Sequence, residues 1–83
     1  MTRDELKAVV EQALSDVAPE VDAGALQPTA RLRDQLDLDS MDWLRFFAAL
    51  EATLGVTVSE ADARRLHTLA DVVAHLEAAQ TRR

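Results

Sequence analysis

The chain has 83 residues and a formal charge of −6, with no cysteine. That length fits one domain with a thin margin of stability. It leaves no disulfide, thiolate metal site or cysteine nucleophile. The acidic balance excludes the phosphate-neutralising surface of a nucleic-acid binder and suits basic protein partners instead.

The amino terminus, Met1-Thr2-Arg3-Asp4-Glu5, carries no apolar core of a signal peptide. The longest apolar run, Phe46-Phe47-Ala48-Ala49-Leu50, is far too short to span a membrane. A single soluble domain over residues 1–83, cytoplasmic and monomeric, is expected.

The first helix is marked by Leu6, Val9, Val10, Ala13, Leu14 and Val17 on one face, with Asp4, Lys7, Glu11 and Ser15 opposite. Thr2 and Glu5 have the spacing of a capping box. Ala18-Pro19 ends the helix, because proline disfavours the helical conformation in the residue before it. A long connection follows to about Asp39, holding both prolines and Gly24. A structureless stretch of that length is unusual in a compact domain. Its own apolar residues, Val21, Leu26, Leu32, Leu36 and Leu38, are expected to pin it, with a helical turn between Thr29 and Leu36.

The second long helix is predicted from Ser40 to Leu54, stopped by Gly55. Val56-Thr57-Val58 is extended, with both valines able to face the core. Ser59 caps a short helix over Glu60 to Arg65. Thr68 and Asp71 cap a last one, whose apolar stripe is Leu69, Val72, Val73 and Leu76. Fraying is expected from about residue 79. The fold class is therefore all-α: three longer helices and one short one, with a long loop between the first two long helices.

The segment Leu36-Asp37-Leu38-Asp39-Ser40-Met41-Asp42 carries the chemistry. Asp39 is the N-cap candidate. It sets Ser40 at the first helical position, where free N–H groups and the positive end of the helix dipole favour an anion on its oxygen. No His, Lys or Cys lies near Ser40 in the sequence to serve as base or nucleophile. In the helix that follows, Trp43, Phe46, Phe47, Leu50 and Leu54 form the core stripe. Met41, Leu44, Arg45, Ala48 and Ala52 form an outer side that is apolar for a solvent face, and such surfaces often dock partners.

Asp39-Ser40-Met41 resembles the Asp-Ser-Leu signature of acyl carrier proteins. The likeness extends over nearly the whole chain: amphipathic helix, long loop, the Leu-x-Leu-Asp-Ser start of the next helix, Leu50-Glu51, the Gly55-Val56-Thr57-Val58 passage, short helix and capped final helix. The resemblance implies that the protein is no enzyme. It implies a covalent 4′-phosphopantetheine cofactor on Ser40, with Asp39 and Met41 flanking the attachment. The implied partners are a phosphopantetheinyl transferase and acyl-loading and acyl-processing enzymes of ligase, ketosynthase or acyltransferase type. The docking residues would be Met41, Asp42, Leu44, Arg45, Ala48 and Glu51. Fatty-acid, polyketide or related lipid biosynthesis is the implied setting. A peptidyl or aminoacyl carrier, or an unmodified helical adaptor, are the alternatives.

Two departures from the family pattern stand out. Asp37 occupies the position three before the serine where glycine is usual, and Arg45 interrupts a helix that is acidic in many relatives. They suggest a specialised carrier serving a dedicated partner. Asp34, Asp37, Asp39 and Asp42 do not form an EF-hand loop, since Met41, Asp42 and Ala48 fall where ligand, glycine and glutamate are required. His67 and His75 are expected at the surface.

Overall fold

A computed structural model describes residues 1–81 of the chain. Five α-helices follow one another: α1 (Arg3–Val17), α2 (Leu32–Gln35), α3 (Ser40–Leu54), α4 (Glu60–Arg65) and α5 (Leu69–Thr81), with a 3-10 turn at Ala23–Ala25. The expected all-α bundle of three long helices is thus present, with a one-turn α2 inside the long connection.

Local chemistry sets the helix ends. The Thr2 hydroxyl accepts from the Glu5 amide, and the Glu5 carboxylate accepts from the Thr2 amide. At the far end the Ala18 amide closes on the Leu14 carbonyl and the chain turns out at Pro19. Gly55 ends α3 in the left-handed region (φ 67°), a conformation that a Cβ would strain. Before α5, the Asp71 amide donates to the Thr68 hydroxyl, while the Asp71 carboxylate accepts from the amides of His67 and Thr68. α5 remains helical through Thr81, whose hydroxyl donates to the Glu77 carbonyl. Residues 79–81, in the expected frayed end, belong to this helix, and residues 82 and 83 lie outside the described residues.

α1 packs against both α3 and α5. Leu6, Val10 and Leu14 meet Phe46 and Leu50 from α3, and Leu69, Val72 and Leu76 from α5, all essentially removed from solvent. Burial of apolar area is the main favourable term in a fold without disulfides. Val56 joins this core, whereas Val58, two residues on, is only half-buried and stands outside it.

The long connection is held by more than its leucines. Leu32 and Leu36 are buried, and Val21, Leu26 and Leu38 pack against the core in part. Backbone bonds then tie it to the far end of the chain: the Leu32 amide donates to the His67 carbonyl at 2.8 Å, and the Ala70 amide to the Pro28 carbonyl at 3.0 Å. The Gln35 side chain accepts from the Gln27 amide and donates to the carbonyls of Gln27 and Ala30. These bonds bring the α2 region against the α4–α5 junction.

Candidate functional site

The start of α3 is built by two aspartates. Asp39 is extended (φ −84°, ψ 178°), and its carboxylate accepts from the Asp42 amide at 2.8 Å. The Asp42 carboxylate in turn accepts from the Asp39 amide at 3.4 Å. The sequence identified the Asp39 cap but missed its reciprocal partner. An aspartate three residues on does the same work as the usual glutamate, at a longer reach.

Ser40 is the first residue of α3 and is exposed. Its hydroxyl has no hydrogen-bond partner among the described residues, and it opens onto a cleft of about 540 Å³. The apolar wall of that cleft comes from Leu32, Leu38, Trp43, Phe47 and Leu66, and α4 contributes Glu60, Ala63 and Arg64. α4 itself has no buried residue. Trp43 and Phe47 were expected in the core. They are only half-buried: Phe46, Leu50 and Leu54 take the buried side of the stripe, and Trp43 and Phe47 at its edge line the cleft. The three rings still form one cluster, with Phe46 5.0 Å from Phe47 and edge-on to Trp43 at 6.0 Å.

The sequence placed no His, Lys or Cys near Ser40. The fold brings His67, distant in the chain, into the wall of the same cleft, together with Arg33 and Arg64. His75, expected at the surface, is also corrected. Its side chain is only 15% exposed, and Nε2 is buried 3.8 Å from Asp62 Oδ2 with no hydrogen-bond partner. α4 packs over it, which a periodicity argument on α5 alone does not reveal. His67 is exposed as expected.

The outer side of α3 is open. Met41 and Leu44 are 57% and 59% exposed, and with Met1 they are the exposed large apolar side chains among the described residues. Arg45, Ala48 and Ala52 are exposed beside them. Asp42 and Glu51 are half-buried, so the acidic part of the expected docking set is less available than the apolar part. Arg45 reaches the Asp42 carboxylate at 3.5 Å, so its charge is partly met within the helix. Among the described residues no cluster of three His, Cys, Asp or Glu side chains is able to hold a metal. No helix among them is long and apolar enough to cross a membrane.

A free hydroxyl at a capped helix start, above a cleft with an apolar wall, is a place to hang a flexible anionic arm. The fit is direct: the Ser40 and Met41 amides at the helix end have no other partner, and the cleft gives such an arm room to lie down. The phosphopantetheine attachment site family matches residues 5–76. The acyl carrier protein of Helicobacter hepaticus is 35% identical over 77 residues, covering 93% of this chain and 95% of that protein. The acyl carrier protein of Campylobacter jejuni subsp. doylei is 33% identical over 76 residues, 92% of each chain. That of Solidesulfovibrio magneticus is 33% identical over 57 residues, 69% of this chain and 73% of its own. The chain belongs to the phosphopantetheine-binding acyl carrier family. It is a carrier of acyl groups on 4′-phosphopantetheine.

Proposed function

We propose that Ser40 is the residue that bears the 4′-phosphopantetheine, and that the exposed side of α3 is the surface partner enzymes read. The unpartnered Ser40 hydroxyl at the first position of a doubly capped α3 carries the proposal. When bound, the group supplies the thiol on which cargo is held as a thioester, which a cysteine-free chain cannot supply itself. Asp39 and Asp42 hold the helix start rigid. The amides of Ser40 and Met41 and the helix dipole favour the phosphodiester. Leu38, Trp43, Phe47 and Leu66 offer apolar cover to the arm and part of its cargo.

The protein itself catalyses nothing in this reading; a separate phosphopantetheinyl transferase joins the Ser40 oxygen to the phosphopantetheine phosphorus of coenzyme A, breaking the pyrophosphate bond so that adenosine 3′,5′-bisphosphate leaves and the hydroxyl proton is released. Met41, Leu44 and Ala48, with Arg45 at their edge, form the docking face for that transferase and for loading and processing enzymes of ligase, ketosynthase or acyltransferase type. Asp42 and Glu51 border it. The protein works as a cytoplasmic monomer in lipid or polyketide assembly. Arg45 and Asp37 make it a specialised carrier: Arg45→Glu should change which ketosynthase accepts it. Equal use by a housekeeping ketosynthase, before and after that change, rules the specialisation out.

The deciding experiment is incubation with coenzyme A and a broad-specificity transferase, followed by intact mass. One added group is expected on the native chain and none on Ser40→Ala, whose helical spectrum should be unaltered. Unchanged mass of the native chain overturns the assignment, as does modification of Ser40→Ala.

A further inference from the structure

Resting on the assignment of Ser40, we infer that Arg33 is an anion receptor in the wall of the arm's cleft. Its ligand is an oxyanion brought in by the arm, either the phosphodiester at Ser40 or a carboxylate ending the cargo. Arg33 and Ser40 line the same cleft, although they sit on different elements.

Arg33 is held in place from below. It sits on the one-turn α2, whose Leu32 is buried and whose backbone is bonded to His67. Its guanidinium lies 5.8 Å from the centroid of the Trp43 ring, over the apolar wall. The protein has 15 acidic residues against nine Lys and Arg, so a nearby carboxylate would be an easy partner. Arg3, Arg45, Arg64 and Arg65 each have one. Arg33 has none among the described residues.

The carboxylates that share the cleft are already engaged. Asp39 caps α3, and Glu60 faces Arg64 at 3.7 Å. Arg33 is thus the cation of the cleft with its donors free. A guanidinium resting on an indole keeps its planar fork of N–H groups available at its edge. Exchange of water for an oxyanion there gives charge-assisted, bidentate hydrogen bonds. The neighbourhood also needs a cation: Asp37, Asp39 and Asp42 surround the serine in sequence, and an added phosphodiester raises the negative charge further. A plain apolar wall would have required no arginine at this point.

The chain contains a single tryptophan, so its emission reports directly on this contact. Native protein and Arg33→Gln are prepared in four forms: unmodified, holo, butyryl-loaded and succinyl-loaded, using coenzyme A, butyryl-coenzyme A and succinyl-coenzyme A. Trp43 emission and the Arg33 Nε–H resonance are recorded at low and high salt. A change from unmodified to holo, absent in Arg33→Gln and weakened by salt, identifies the phosphodiester as the ligand. A change that appears only with succinyl, and not with butyryl, identifies the cargo carboxylate. Identical responses of native and Arg33→Gln protein across all four forms overturn the inference while leaving Ser40 as the attachment residue. Absence of any mass gain overturns both.

Discussion

Asp39 and Asp42 hold each other through their backbones: each carboxylate accepts from the other's amide, at 2.8 and 3.4 Å. This pair fixes where α3 begins, and therefore places Ser40 outside the bundle at the helix's positive end. Asp39→Ala removes the shorter bond and should lower stability by about 1 kcal/mol. Asp39→Asn keeps an acceptor and should lose only a few tenths by the same reasoning. Urea unfolding measures both; an alanine variant as stable as the native protein would show that the cap contributes nothing.

Burial, not residue type, decides what α3 leucines contribute. Leu50 is fully buried in the core that α1 shares with α3, while Leu44 on the same helix is 59% exposed. Leu50→Ala should cost about 3 kcal/mol, a large share of what so small a domain possesses. Leu44→Ala should stay within about 0.5 kcal/mol yet weaken transferase and ketosynthase binding. Comparable losses of stability from the two substitutions would mean that Leu44 is covered in solution and cannot serve as a docking residue.

Three carboxyls tie stability to acidity. Hydrogen bonds within the capping box with Thr2 hold Glu5 below the usual carboxylate range. Asp62 is lowered first by its hydrogen bond with Ser59 and then by Arg65, and Glu77 by the hydrogen bond and charge of Arg3. A depressed folded pKa means that the unfolded chain binds more protons in the acid range, so stability rises with pH there. The contribution is complete above the unfolded pKa, about 4, and is lost as pH falls through the folded values. Glu5 is exposed and Asp62 and Glu77 are partly exposed, so each effect is small and screened by salt. The stability difference between native protein and the Glu5→Gln, Asp62→Asn, Glu77→Gln variant should shrink from pH 6 to pH 3. A difference that is constant or grows on acidification contradicts the assignment.

His75 presents a polar atom that the packing leaves unsatisfied. Its Nε2 is buried without a hydrogen bond, at 3.8 Å from Asp62, beyond bonding reach. An unsatisfied buried polar atom costs about 1–3 kcal/mol. His75→Leu, close in volume and apolar, should therefore leave stability unchanged or raise it by about 1 kcal/mol. A clear drop in the urea midpoint would reveal a hydrogen bond in solution that this geometry lacks.

The helices were legible because their signals are short-ranged. The capping box at Thr2, the caps at Asp39 and Thr68–Asp71 and the stop at Gly55 each act within four residues. The stripe Leu6, Val10 and Leu14 repeats with the helical turn. The serine at a helix start was equally local. The staple from Gln35 to Gln27 and Ala30 was not legible, since glutamine in a loop has no pattern that names its partners.

By itself, then, the sequence determined the caps, the amphipathic faces and the exposed hydroxyl of Ser40, because neighbours along the chain create them. Only the tertiary structure decided that Trp43 and Phe47 would line a cleft, that Arg33, Arg64 and His67 would share it with Ser40, and that His75 would be covered. Those relations depend on the α2 region meeting the α4–α5 junction through bonds such as Leu32 to His67. Contacts between segments so far apart arise from the packing of the whole bundle, which no local periodicity encodes.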